Sequence, residues 1–289
     1  MKHEITIAGA GCGELRLAEH PAGIVVFVHG SGIDRHDSRN RRVAARLVRA
    51  GFGALLVDLL DECASHDRHN AFDVELQAER LVRVTQWLRA QPGTAALPVG
   101  YFGTGVGAGV ALVAAAKSPQ GVAALVCRGG RPDTALDWLP QLQVPALFMA
   151  AAQGADGQWA KLAHQAAGSA KELVRLSHAN DSFSDAGAME AVAQHAGRWF
   201  SRHMGALAAR IRQLEARLRQ RHPGLDCRVT LEDRVPHAYE RRRFNVRLDV
   251  CRDGRSMVLN REHDHDPAIA LREAFAAAHR QLDAIAAGA

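Results

Sequence analysis

Residues Tyr101-Phe-Gly-Thr-Gly-Val-Gly-Ala-Gly109 follow the apolar run Leu97-Pro-Val-Gly100 and lead into Val110-Ala-Leu-Val-Ala-Ala-Ala116. That order predicts a short buried strand, a turn built on alternate glycines, and a helix of small apolar residues. Gly103, Gly105 and Gly107 have the spacing of a nucleophile elbow, in which small flanking residues permit a strained backbone that thrusts one central side chain out of the sheet. The central residue here is Gly105, which carries no attacking atom. The segment is therefore either an elbow without its reactive group or a turn with a purely structural role.

Outward from this turn the same alternation repeats. Apolar runs at 23–30 (GIVVFVHG), 52–60 (FGALLVDLL), 121–127 (GVAALVC), 144–150 (VPALFMA) and 172–176 (ELVRL) are separated by helical patterns near 40–50, 72–90, 107–117, 157–167 and 188–202. Short strands buried on both faces and alternating with helices predict an α/β fold with a doubly wound, mostly parallel sheet. After about Met204 the rhythm changes. Leu207, Ile211, Leu214 and Leu218 fall at helical spacing, and His222-Pro-Gly224 ends that helix. Leu225, Cys227, Val229 and Leu231, then Phe244, Val246, Leu248 and Val250, alternate with polar residues, as strands with one buried face do. A third strand after Asp253-Gly-Arg255 and a last helix from Pro267, burying Leu271, Phe275, Leu282 and Ile285, complete an expected small α+β domain with α-β-β-β-α order and an antiparallel sheet. The predicted domains are 1–203 and 204–289.

No apolar run among the 289 residues approaches the roughly 20 needed to span a bilayer, and the first residues lack a signal-peptide pattern. A soluble, cytoplasmic protein with no membrane partner is expected. Five scattered cysteines without a CxxC pair argue against a disulfide framework and against a zinc knuckle. Cys227 and Cys251 fall where paired strands could set them opposite each other. No cofactor and no metal is expected; Glu262-His-Asp-His-Asp266 is explained by a polar turn in which Asp266 caps a helix at Pro267. The net charge is +5, and four units of it come from residues 205–289, where 16 Arg face 12 acids and no Lys occurs. Arginine suits bidentate phosphate contacts, although a solvated surface of arginine–acid pairs accounts for the composition equally well.

Residues 23–203 resemble the dienelactone-hydrolase-like branch of the α/β-hydrolases through VVFVHGSG, SRNRRVAARLVRAGFGALLVDLL, AERLVRVTQWLRAQP, LPVGYFG, VCRGGRPD and FSDAGAMEAVAQHAGRWF. The resemblance implies an α/β-hydrolase fold and a serine, an acid and a histidine. Family members of this subtype have G-A-S-T-G at the elbow, which puts Gly105 at the serine; the acid falls on Gly154 and the histidine on Asp181. The substitutes nearby are Thr104, one place early, Asp156, two places late, and His178, three residues before Asp181. The resemblance thus implies a catalytically degenerate hydrolase serving as a scaffold, dimerisation surface or ligand sensor, with an active esterase or lactonase that uses non-standard residues as the alternative. His29-Gly30-Ser31-Gly32 would line the oxyanion pocket of a working relative. With Arg35, His36 and Arg39 it could hold a small anionic ligand, or it is a strand-to-helix loop with a solvated charge run.

Residues 205–286 resemble the ribosome-associated family that includes hibernation promoting factor, through ALAARIRQLEARLRQRHPGLDCRVTLED, FNVRLDVCRDGRSMVLNRE and AIALREAFAAAHRQLDAI. That implies a module that docks on the small ribosomal subunit or another structured RNA and idles translation under stress. Arg210, Arg217 and Arg221 share a helix flank, Arg272 and Arg280 flank the last helix, and Arg228 and Arg247 stand on the polar sheet face. Together they form the expected RNA-binding surface. The whole chain is expected to be a ribosome-associated, hibernation-type regulator carrying the hydrolase scaffold, able to form a homodimer.

Overall fold

Strands Ile24–Val28 (β3), Gly53–Asp58 (β4), Val99–Thr104 (β5), Ala124–Arg128 (β6) and Ala146–Ala151 (β7) are buried at every residue. Such runs are stable only with both faces covered, and that is why helices follow them in turn. The computed structural model describes residues 2–287 except 20, 31, 61–63, 65, 66, 96, 153, 178, 180–182, 184–186, 235–242, 253, 254 and 264–266. The chain divides into two units, Met1–Gly205 and Ala206–Ala289.

In the first unit eight strands lie in the order β1-β2-β4-β3-β5-β6-β7-β8, where β1 is Lys2–Ile7, β2 is Gly11–Arg16 and β8 is Lys171–Leu176. β4 to β8 and β3 pair in parallel; β1 and β2 form an antiparallel hairpin that joins the edge of β4. The helices are Ser38–Arg49 (α1), Arg68–Phe72 (α2), Val74–Ala90 (α3), Val106–Lys117 (α4), Asp156–Ala166 (α5) and Ala188–Met204 (α6). Alternate strand residues feed two cores. Val26, Val28 and Tyr101 meet α3 and α4 on one face, while Val25, Phe27, Phe102 and Val126 meet α1 and α6 on the other. The β1–β2 hairpin has no counterpart in the sequence-based strands, because its alternation is interrupted by glycines and charges, including a buried Glu14 held by Arg16 and Arg41.

The second unit runs helix Ala206–Arg221 (α7), strands Asp226–Arg234 (β9), Arg243–Arg252 (β10) and Arg255–His263 (β11), and helix Pro267–Ala287 (α8). The three strands are antiparallel in the order β11-β10-β9, and Leu214, Leu218, Cys227, Val246, Leu248, Leu271, Phe275 and Leu282 form its core. Two expectations fail here. Cys227 faces Val250 and Cys251 faces Asp226, so a one-residue offset sends the two thiols to opposite faces: Cys227 is buried, Cys251 exposed, and both are free. Ile285, although in phase with the buried positions of α8, is 52% exposed and lies outside that core.

Phe102 is fully buried and packs its ring 4.9 Å from that of Phe27 beneath the turn at 105. Phe102→Ala is expected to lower the unfolding free energy by about 3–5 kcal/mol in urea titrations, with a second-unit transition left in place.

Candidate functional site

Between β5 and α4 the chain turns at Gly105, with φ 61° and ψ −131°. This is a region that side-chain-bearing residues occupy only under strain. A Cβ built on Gly105 would meet nothing nearer than the Gly30 Cα at 3.4 Å, so the apex has ordinary room for a projecting group. The other flank is closed: Gly130, at φ +75°, lies so close that its own Cβ would stand 2.4–2.5 Å from the Gly105 backbone. The Gly105 carbonyl accepts from the Arg131 amide at 3.0 Å, tying the end of β6 to the elbow. Val106 opens α4, so its N–H has no acceptor within the helix and carries the positive end of the helix dipole. It lies against Gly30, where the loop after β3 passes. The elbow is therefore complete in its backbone, including an oxyanion donor, and lacks only the side chain at its tip.

The substitute positions separate clearly. Thr104 is not at the apex. It is 1% exposed, pairs in register with Arg128, and shares the sheet face of Phe102 and Val126, because one step along a strand reverses the side-chain direction. Its hydroxyl cannot act as the nucleophile. Gly154 is a turn residue at φ +113°. Asp156 begins α5, and that start returns its carboxylate to the elbow's flank: Oδ2 accepts the Gly130 N–H at 2.9 Å. His178, Asp181 and Ser31 lie outside the described residues.

On the neighbouring strands, His29 follows β3 and Asp58 ends β4, and the Val28–Val57 pairing sets them side by side. His29 Nε2 donates to Asp58 Oδ1 at 2.8 Å, the Arg35 amide donates to the same oxygen at 2.7 Å, and the Arg35 guanidinium holds Oδ2. Burial pushes the Asp58 carboxyl upward, but the hydrogen bonds from His29 and Arg35 together outweigh it and hold the group below the usual carboxylate range. These residues, with Gly30, Gly32, His36 and Arg39, line a cavity of about 870 Å³. Arg39 is tied to Asp37, the N-cap of α1, at 3.0 Å. Two of the cations expected to greet an anion there thus already hold carboxylates. The elbow reaches this cavity through Gly30, which lines it and touches Gly105. Among the described residues no cluster of His, Cys, Asp and Glu could hold a metal ion.

Arg128, which the sequence did not single out, ends β6 at 5% exposure. Its NH1 meets the Met189 sulfur at 3.5 Å and its guanidinium lies 5.6 Å from the ring centre of Phe183, itself held at φ +52°.

The model of the dienelactone hydrolase family matches residues 15–202. A solved dienelactone hydrolase from Anabaena variabilis is 39% identical, with TM-score 0.68 over 71% of this chain and 98% of its own. An esterase domain from Rhodothermus marinus shares the fold at 17% identity and TM-score 0.57, over 71% of this chain and all of its own. A Mycobacterium tuberculosis H37Rv protein named a phosphoribosyl transferase is 47% identical over 195 residues, which is 66% of this chain and 44% of that relative. The chain therefore spans less than half the length of that curated relative. These matches overturn the expectation of a ribosome-associated regulator: family and solved structures alike point to hydrolases. Arg221 is paired with Asp283 at 2.7 Å and Arg247 with Asp249 at 2.9 Å, so these two hold acids of their own unit. No helix among the described residues is long and apolar enough to cross a membrane.

Because the folded Asp58 has a depressed pKa, its contribution to stability is complete above the ordinary carboxylate pKa near 4 and is lost as pH falls through the lower folded value. Asp58→Asn is expected to cost roughly 3 kcal/mol at pH 7 and to flatten the stability profile in acid, measured by urea unfolding between pH 7 and pH 3.

Proposed function

The chain belongs to the dienelactone hydrolase family, and we propose that its first unit hydrolyses carboxylic esters or lactones by direct attack of water at the Gly105 elbow. The observation that carries this is the Asp156 carboxylate, fixed on Gly130 at 2.9 Å and hence against the flank of Gly105. A water drawn on by that carboxylate takes the open place above the Gly105 apex that a serine hydroxyl fills in a relative that has one. Its oxygen bonds to the acyl carbon while its proton passes to Asp156. The carbonyl oxygen takes the negative charge and is met by the Val106 N–H at the start of α4. Collapse of the tetrahedral adduct breaks the ester bond, and the departing alkoxide takes the proton from Asp156. No covalent intermediate forms on the protein.

The 39% identity with a dienelactone hydrolase over 98% of that chain supports this reading. The phosphoribosyl transferase name belongs to a relative of which 44% is matched, and that activity is not carried over. The free thiols of Cys12, Cys127, Cys227 and Cys251 suit the reducing cytosol, where we place the protein.

The test is turnover of p-nitrophenyl acetate and a panel of γ- and δ-lactones. Asp156→Asn is expected to lower kcat/KM by about 100-fold or more, the usual worth of a general base. Gly105→Ser puts a hydroxyl at the apex at a cost of about 1–2 kcal/mol in stability, and it is expected to form an acyl-enzyme visible by intact mass, which the natural chain does not form. Wild-type turnover no faster than buffer, or undiminished turnover in Asp156→Asn, sinks the proposal.

A further inference from the structure

A buried guanidinium needs acceptors, because water no longer supplies them. Arg128 is 5% exposed, and among the described residues its one hydrogen-bond partner is a thioether sulfur, a weak acceptor. Among the described residues its Nε has no partner and no carboxylate accepts a hydrogen bond from it, the Asp37 carboxylate acting on it through charge alone. Beside it in the β5–β6 register, Thr104 leaves the same face, 1% exposed, with a hydroxyl that is also unpartnered among the described residues. Two adjacent buried donors, one charged, are thus unsatisfied on neighbouring strand ends. Elsewhere in the same unit buried charges are matched, as Asp58 and Glu14 show.

We propose that Arg128 and Thr104 form a buried receptor for a small oxyanion, a carboxylate or a phosphate, at the carboxyl edge of β5 and β6 behind the elbow. A planar guanidinium presents parallel N–H donors to two oxygens of such a group, and the threonine hydroxyl reaches a third lone pair. Burial first, and then the neighbouring Arg39 cation, push Arg128 down to about 10, and the Asp37 carboxylate offsets only part of that. Phe183 covers the guanidinium from a left-handed backbone conformation that a large residue adopts only when its surroundings hold it there. The site differs from the elbow in residues and in sheet face. It rests on neither Asp156 nor hydrolysis, so binding read without turnover can fail while the catalytic proposal stands, and the reverse.

The experiment is thermal unfolding of the full chain titrated with sodium phosphate or sodium acetate, with chloride holding the ionic strength constant. The wild-type midpoint is expected to rise saturably with one of the two anions: a response to phosphate identifies a phosphate ligand, a response to acetate a carboxylate. Arg128→Met should unfold at a higher temperature than the wild type without anion, since an unpaired buried charge is gone, and should lose the anion response. Thr104→Val should weaken binding about fivefold, the worth of a hydrogen bond. Should Arg128→Met not fold, Arg128→Lys decides, since loss of the planar fork must weaken binding about tenfold. An equal response in Arg128→Met, undiminished affinity in Arg128→Lys, or no wild-type response to either anion overturns the proposal.

Discussion

Three backbones meet at Gly105, and they can meet because Gly30 and Gly130 carry no side chains. The loop after β3 lies against the elbow on one side, and the end of β6 lies so close on the other that a methyl on Gly130 would overlap the Gly105 main chain. The Arg131 amide locks this arrangement through the Gly105 carbonyl. From it follow the start of α4, the Val106 N–H left without a helical acceptor, and the place where Asp156 can dock. The positive φ at Gly105 costs little for glycine, so the turn persists without any projecting group to justify its shape. That is the physical reason a hydrolase framework survives intact around a position that holds only hydrogen.

Electrostatics then divides the carboxyl edge of the sheet. At the ends of β3 and β4 the charges are mutually satisfied: His29 and Arg35 converge on Asp58, and Arg39 on Asp37. Such a network rigidifies the loop that borders the elbow, and its cations already engage carboxylates. At the ends of β5 and β6 the position is the reverse. Arg128 is desolvated with no carboxylate hydrogen-bonded to it among the described residues, and the Arg39 cation outweighs the Asp37 carboxylate in its effect on it. The capacity to hold negative charge therefore lies one strand pair away from the loop whose sequence suggested it.

Much of the fold was legible because its signal is strong and local. Apolar runs such as Ile24–Val28 have one stable use, and the glycine spacing around Gly105 identified the elbow before any coordinates. The β1–β2 hairpin was not legible, since glycines and charges break its alternation and its strand character comes from pairing with β4. Within the site, Asp156 was found but placed two residues late, because the spacing gave no account of the helix start that turns its carboxylate back to Gly130. Thr104 was adjacent to the apex in sequence yet faces the opposite direction. Arg128 gave no signal: an arginine at a strand end is ordinarily solvated, and only the packing of Phe183 and Met189 makes it buried. The arginine-rich tail is a related case. Composition counts charges and says nothing of partners, and Arg221 and Arg247 are bound to aspartates.

Several departures from local ease meet at one edge of the sheet. Phe183 holds a left-handed conformation without glycine's freedom, and Arg128 and Thr104 carry buried polar atoms without partners among the described residues. Each costs stability, and around them packing, capping and pairing agree with one another. A core could relieve Arg128 with an aliphatic side chain of the same volume, and a loop could relieve Phe183 with glycine. Costs of different physical origin converge on adjacent strand ends, and among the described residues nothing offsets them, which is the physical ground for an anion bound there.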